Sequence, residues 1–263
     1  MKGGYRLYDD LAGWWPLISP VQEYSGEARA LAAVLATAAV PVREVLDLGS
    51  GGGHLAWHLK GAMRLTLADR SEPMLAVSRQ LNPECEHLRA DMLTVRLGRL
   101  FDAVLVHDAI DYVTTQAGLR QVTTTAFAHC RPGGIAVFVP GHTAQTFRPG
   151  TGRGGSSAAG RQASFRERTW DPDPADDWVQ AEYEFTLRDA DGSVQVVREA
   201  HRLGAFSEQA WLRALTAAGF TAQAGPGAAA GAGGPGGLPG MPRNVFAGHR
   251  PAGPDAACAM LPG

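Results

Sequence analysis

The run Val45-Leu46-Asp47-Leu48-Gly49-Ser50-Gly51-Gly52-Gly53-His54, followed by Leu67-Ala68-Asp69-Arg70, has the residue types and spacing of a nucleotide-cofactor site. An apolar strand feeds a glycine turn, the turn opens a helix, and an acidic residue stands at the end of the next strand. Glycine suits such a turn because it adopts positive φ and lets the backbone approach a ligand, both of which a Cβ would hinder. A carboxylate at Asp69 can accept hydrogen bonds from both hydroxyls of a ribose. The spacing also chooses between cofactors. A dinucleotide fingerprint needs a third small residue three places after Gly51, and that place is His54, so the G-x-G-x-x-G reading fails. What remains is Asp47-x-Gly49-x-Gly51-x-Gly53.

This pattern resembles the cofactor loop of class I S-adenosylmethionine-dependent methyltransferases, and the resemblance continues in order along the chain. Arg89-Ala90-Asp91-Met92 looks like the family's adenine-contacting segment, Phe101 to Asp108 like its fourth strand, and Arg131-Pro132-Gly133-Gly134-Ile135 like the turn into its fifth. Tyr8-Asp9 near the start and a long insert after the fifth strand are similar to the small-molecule branch, including the sugar-amine N-methyltransferases of antibiotic pathways. The resemblance implies S-adenosyl-L-methionine as cofactor and S-adenosyl-L-homocysteine as product. The implied cofactor set is Trp15, Tyr24, Asp47, Gly49, Ser50, Gly51, Gly53, Asp69, Arg70, Met74, Asp91, Met92 and His107. The implied reaction is an in-line methyl displacement to nitrogen or oxygen of a natural-product or sugar intermediate. Two rivals stand beside it: an NAD-dependent oxidoreductase on the same kind of sheet, and a protein that binds the cofactor or its product without turnover.

Methyl transfer needs the nucleophile held in line about 3 Å from the methyl carbon, and an amine or hydroxyl acceptor gains from a nearby base. His107 and Asp108 end the fourth strand and His142 follows the fifth, where open α/β sheets bind ligands. His142 is the preferred base and His107 a cofactor-lining residue with a second claim to catalysis. Asp108 suits a helix-capping or structural hydrogen-bonding role. Tyr112 and His201 are the substrate-binding candidates, each weighed against plain packing. Arg198 and Arg202 share the other face of the His201 strand by alternation. Tyr5, Tyr8, Trp14, Trp15 and Tyr24 crowd the opening segment. From these, Trp15 and Tyr24 are expected to close over the methionine end, an aromatic face suiting a sulfonium by about 0.5 to 2 kcal/mol. His54 is given no catalytic role, and the eight histidines show no zinc-binding spacing, so no metal is expected.

The elements that position these residues alternate as strand and helix. Apolar runs predict strands at 42–48, 65–69, 87–89, 103–107 and 135–140, and two more at 220–224 and 244–248. Ala28, Leu31, Ala32, Leu35 and Ala36 recur at helical spacing before Pro41, while Ser71, Thr114 or Thr115, and Ser207 are candidate caps, with Gly219 ending the last helix. The fold expected is α/β, a doubly wound Rossmann-like seven-stranded sheet with a small antiparallel β insertion after the fifth strand. Residues 1–141 and 203–250 form the cofactor domain and 142–202 the insertion or substrate cap. Within the cap, Pro149 to Gly160 reads as a mobile loop. Ser164 to Trp170 and a hairpin with Tyr183, Phe185, Leu187, Val194, Val196 and Arg198 around Asp189-Ala190-Asp191-Gly192 make a sheet with one wet face, lying over the mouth of the cofactor fold. Residues 225–240, nearly all Gly, Ala and Pro, read as a solvated connector, and 251–263 as a flexible tail.

At 263 residues and 45% hydrophobic content the chain can bury one substantial core. A formal charge of −2 with no long basic run argues against nucleic acid as partner. A small-molecule substrate is expected, a homodimer is allowed, and no membrane segment or signal peptide is read in the opening residues. Three scattered cysteines without a C-x-x-C pair suit a reduced, cytoplasmic protein.

Overall fold

Strands that are apolar at every position become buried on both faces, and each face needs its own helical layer. A computed structural model of the chain, describing residues 4–229 and 242–253, shows how these residues divide. The main sheet has seven strands in the order β10-β11-β5-β4-β1-β2-β3: β1 Glu44–Leu48, β2 Arg64–Asp69, β3 Glu86–Arg89, β4 Phe101–His107, β5 Cys130–Val139, β10 Thr221–Ala229 and β11 Pro242–His249. The pairs among β1 to β5 are parallel, whereas β11 is antiparallel to both β5 and β10.

Odd-numbered side chains of the central strands, Val45, Ala103, Leu105, Val137 and Val139, pack against α2 (Ser25–Leu35) and α3 (His54–Leu59). Even-numbered ones, Leu46, Leu48, Val104, Val106 and Phe138, pack against α5 (Gln116–His129) and α6 (Glu208–Ala218). Asp47 and His107 therefore point into the layer shared with α2. The capping expectations hold at three helices: Ser71 accepts from Met74 N at 3.1 Å before α4 (Glu72–Leu81), Thr115 caps α5, and Ser207 caps α6, which Gly219 ends at φ 108°.

The insertion is a four-stranded antiparallel sheet, β6 Gly150–Ala158, β7 Arg161–Trp170, β8 Trp178–Arg188 and β9 Val194–Gly204, in sequence order. Here the structure corrects the sequence reading twice. Residues 150–158 are not a loop: they pair along their whole length with β7, from Gly150 opposite Thr169 to Ala158 opposite Arg161. Ser156 donates its hydroxyl to Leu17 O at 2.9 Å, so the glycine-rich strand lies close under α1 (Trp15–Ile18). The hairpin's phase in β9 is also the opposite of the one expected. Val194 and Val196 are 51% and 56% exposed, and the buried row is Val197, His201 and Leu203, because Phe185 pairs with Val197 and Ala181 with His201.

That buried row does not close on the main sheet directly. It packs on Leu7, Leu11, Leu17 and Ile18 of the opening segment, which is built of short turns at Arg6–Tyr8, Ala12–Trp14 and Val21–Tyr24 around α1. The segment is a filling between the small sheet and the glycine turn. Of the connector expected over 225–240, residues 225–229 continue β10 against β11; residues 230–241 lie outside the described residues, as do 254–263 of the expected tail. Among the described residues no helix is long and apolar enough to cross a membrane.

Candidate functional site

Asp69 ends β2 and its carboxylate is shared between two neighbours. One oxygen accepts from Gly51 N at 2.8 Å and the other from Ser71 N at 2.8 Å. One side chain thus ties the glycine turn to the cap of α4. Each carboxylate oxygen has a second lone pair, so the capacity to accept from a ribose remains. Burial pushes the Asp69 carboxyl up, opposed by the hydrogen bonds from Ser71 and Gly51. The turn itself is anchored at its start, where Gly49 N and Ser50 N both donate to Ala68 O at 2.7 and 3.1 Å.

A cavity of about 470 Å³ opens at the carboxyl ends of β1, β2 and β4, the place where open α/β sheets take ligands. The structure brings to its walls Trp15, Tyr24, Asp47, Gly49, Ser50, Gly51, Asp69, Arg70, Met74, Asp91, Met92, His107 and Tyr112. Three expected site residues are not in the wall. Gly53, at φ +72°, caps α3 and sits against Ser78 and Asn82. His142 is buried with its ring edge-on to Phe147 at 5.3 Å. His201 lies behind Tyr112, its Nδ1 3.0 Å from the Tyr112 hydroxyl.

The cavity carries features that fit an adenosyl cofactor with a charged amino-acid end. Ser50 Oγ, in the turn that lines the cavity, is buried with no hydrogen-bond partner among the described residues, a hydroxyl that a bound polar group could satisfy. A Cβ on Gly52 would stand 2.6 Å from Trp15 Cδ1, so the indole lies directly on the turn. Trp15, Tyr24 and His54 form an aromatic corner, with ring centroids 6.1 Å apart for Trp15–His54 and 5.7 Å for Tyr24–His54. Burial lowers the His54 pKa to about 4. The imidazole is therefore neutral and adds no positive charge beside a sulfonium.

Beneath this corner lies a buried histidine flanked by two acidic side chains. His107 Nε2 is 2.9 Å from Glu27 Oε1, and His107 Nδ1 is 3.4 Å from Asp108 Oδ2. Both ring nitrogens are engaged by carboxylates, which suits a positioning role better than proton abstraction. Asp108 adopts φ 50°, uncommon for a residue other than glycine, and starts the turn in which Asp111 accepts from Gly141 N at 2.9 and 3.1 Å. Glu27, His54 and Gly52 were missed by sequence reasoning. Glu27 left one signal: a carboxylate four residues before Leu31 stands on the apolar stripe of α2.

Comparison with known proteins agrees with this geometry. A methyltransferase-domain family model matches residues 45–134, the stretch from β1 through β4 to the start of β5. The chain is 29% identical over 221 residues to a dTDP-3-amino-3,6-dideoxy-alpha-D-glucopyranose N,N-dimethyltransferase of Streptomyces fradiae, covering 83% of this chain and 86% of that protein. The chain is an S-adenosylmethionine-dependent methyltransferase. The fold of this methyltransferase is similar to that of DesVI from Streptomyces venezuelae, with a TM-score of 0.74 at 23% identity over 87% of this chain and 92% of that one. It is also similar to a sugar N-methyltransferase from Streptoalloteichus, with a TM-score of 0.70 at 26% identity over 87% and 88% of the two chains. The oxidoreductase and non-catalytic alternatives find no support in these relatives.

The methyltransferase's Asp47 is 3% exposed. Burial raises its pKa from 3.8 to about 7, with His107 opposing and Asp69 adding to the rise. Between those two values the folded protein holds a proton that the unfolded chain has lost, so stability falls as pH rises from about 4 to about 7. Asp47→Asn, which keeps the neutral form at every pH, is expected to flatten that slope. Urea unfolding without added cofactor at several pH values checks it, and a slope unchanged by the substitution contradicts the assignment.

Proposed function

We propose that the methyltransferase moves the methyl group to the nitrogen of a small-molecule amine, in the first place an amino sugar. The observation that carries this reading is the sign of the cavity wall. Asp9, Asp69, Glu72, Asp91, Asp108 and Asp111 line it against Arg70 and Arg89, while Asp47, whose buried carboxyl is raised to about 7, adds little to the charge. A wall with this excess of carboxylates draws in a protonated amine and disfavours an alkoxide, so it separates nitrogen from oxygen as the acceptor. The volume falls within the range of about 300 to 1,000 Å³ usual for small-molecule sites. The S. fradiae relative, named for action on a dTDP-amino sugar, points the same way.

When bound, S-adenosylmethionine supplies a methyl carbon made electrophilic by its positive sulfur. In this reading Asp69 receives the ribose hydroxyls, and Met74, Asp91 and Met92 border the adenine, with Arg70 beside them at the rim. Gly49, Ser50 and Gly51 face the methionine portion over Asp47, while Trp15 and Tyr24, backed by His54, cover it and exclude water. Tyr112, with Tyr8 beside it, faces the acceptor from the side of the small sheet. His107, held by Glu27 and Asp108, fixes the floor. His142 takes no part. Gly53 shapes the turn through the start of α3.

The test is methyl transfer, followed by mass spectrometry, to dTDP-3-amino-3,6-dideoxyglucose and to the same sugar nucleotide with hydroxyl in place of the amine. Methylation of the amine alone is the expected result. Equal methylation of both, or none of the amine, overturns the reading.

A further inference from the structure

Four polar side chains from three separated stretches of chain form a line that starts at the cavity wall and ends inside the small sheet. The hydroxyls of Tyr8 and Tyr112 are 2.7 Å apart, and that of Tyr112 is 3.0 Å from His201 Nδ1. His201 Nε2 faces Glu199 Oε2 at 3.6 Å. Glu199 is itself fixed, accepting from Arg6 N at 2.6 Å and Leu7 N at 3.0 Å, in the turn that presents Tyr8. Tyr8 and Tyr112 line the cavity. His201 is fully buried, with Tyr5 stacked on it at 3.7 Å and Tyr183 edge-on at 4.8 Å.

Packing alone is a poor account of this imidazole. It stands between Val197 and Leu203 in the apolar row of β9, and among the described residues its Nε2 meets only Glu199, at a long 3.6 Å, so a polar ring is buried with one loosely matched nitrogen, an arrangement that costs free energy unless it is used. The groups facing it are Tyr5, Tyr8, Tyr112, Tyr183 and Glu199, and among the described residues only the Tyr112 hydroxyl and Glu199 address its nitrogens.

The geometry points to a proton relay: Tyr8 takes a proton from the acceptor nitrogen, and Tyr112 delivers one to His201 Nδ1, where the charge is set against Glu199. The relay rests on the amine reading above. One direction satisfies every group. Tyr8 donates to Tyr112, Tyr112 donates to Nδ1, and the ring proton sits on Nε2 toward Glu199. That leaves a lone pair of Tyr8 for the acceptor. Reversed, the chain would set a bare nitrogen lone pair against a carboxylate and aim a hydroxyl proton at the incoming cation.

The step balances. The acceptor ammonium gives one N–H proton to Tyr8, and its freed electron pair forms the N–C bond as the C–S bond breaks with both electrons left on sulfur. Tyr8 passes its own proton to Tyr112, Tyr112 passes its own to His201, and the relay discharges in the opposite sense once product departure opens Tyr8 to water. Burial pushes both tyrosine hydroxyls far above their usual range, so they hand protons on without ionising. Tyr8 is then a catalytic residue, and Tyr112, His201 and Glu199 are positioning residues that act through it.

Two measurements test the relay. His201→Asn keeps an acceptor near Nδ1 but cannot hold the proton, and Tyr112→Phe breaks the line. With dTDP-3-amino-3,6-dideoxyglucose as acceptor, both are expected to lower kcat at neutral pH by about 100-fold, within the range for general acid–base groups, leave cofactor affinity unchanged, and recover as pH rises and the amine arrives neutral. Activity and pH profile equal to wild type in both variants overturn the relay. Nitrogen-15 NMR of the imidazole in the wild-type protein decides independently of any acceptor: the proton on Nε2 is expected, and a proton on Nδ1 instead overturns the relay. A wild-type protein that leaves the amine unmethylated overturns the amine reading, whereas a proton on Nδ1 overturns the relay whether or not the amine is methylated.

Discussion

Asp69→Ala is expected to weaken S-adenosylmethionine binding by about 1.5 to 3 kcal/mol, the range for hydrogen bonds to a charged group, or roughly 10- to 150-fold in Kd. The same substitution is expected to destabilise the protein before any ligand is added. The carboxylate accepts from Gly51 N and Ser71 N, and its loss strips a partner from two partly buried N–H groups at about 1 to 3 kcal/mol each where solvent does not replace it. Asp69→Asn separates the two effects, because the amide oxygen can still serve one of these N–H groups but removes the charge that favours the ribose hydroxyls. Titration calorimetry and urea unfolding should show stability partly restored in the asparagine variant while affinity stays low. Unchanged affinity in Asp69→Ala would sink the ribose assignment, and affinity that tracks stability through both variants would make Asp69 a structural staple only.

Asp69 was legible in the sequence because everything around it is local: an apolar strand, a glycine turn, a second strand and a capping serine within one stretch. The same holds for the caps at Thr115 and Ser207 and for the strands of the main sheet, whose apolar runs carry their own signal. The small sheet is different. In β6 the residues Gly150 to Ala158 offer almost no side chains to read, and the strand exists through backbone pairing and the close approach of α1. In β9 the two exposed valines outweigh the buried row by eye, since that row spends two positions on Glu199 and His201. Polar residues hide a buried face when their partners come from elsewhere. Tyr8, Tyr112 and His201 meet from three distant segments, so no spacing rule reports their contact, and for the same reason His142, well placed by strand order, turns out to pack on Phe147.

Gly49→Ala is expected to destabilise the protein by about 2 to 4 kcal/mol, combining the strain of a side chain at positive φ with overpacking. Gly49 stands at φ +81°, and a Cβ there would overlap the Cβ of Ala109. Ala109 directly follows Asp108, itself held at φ 50°, and opens the turn that carries Asp111 and Tyr112. Relief of the overlap must therefore move either the cofactor turn or the end of β4, and cofactor affinity is expected to fall along with stability. Gly51→Ala provides the contrast: at φ +53° it lies in the left-handed region, and its nearest neighbour is Met74 Cε at 3.5 Å, so only the conformational cost of about 1 to 2 kcal/mol applies. Adding Ala109→Gly to Gly49→Ala removes the overlap and leaves the φ strain, so the double variant should recover part of the loss and no more. Unfolding free energies for the four proteins of that cycle measure the coupling directly. Additive effects at the two positions would show that the turn and β4 do not press on each other, and a Gly49→Ala protein as stable as wild type would show that the turn does not need its glycine.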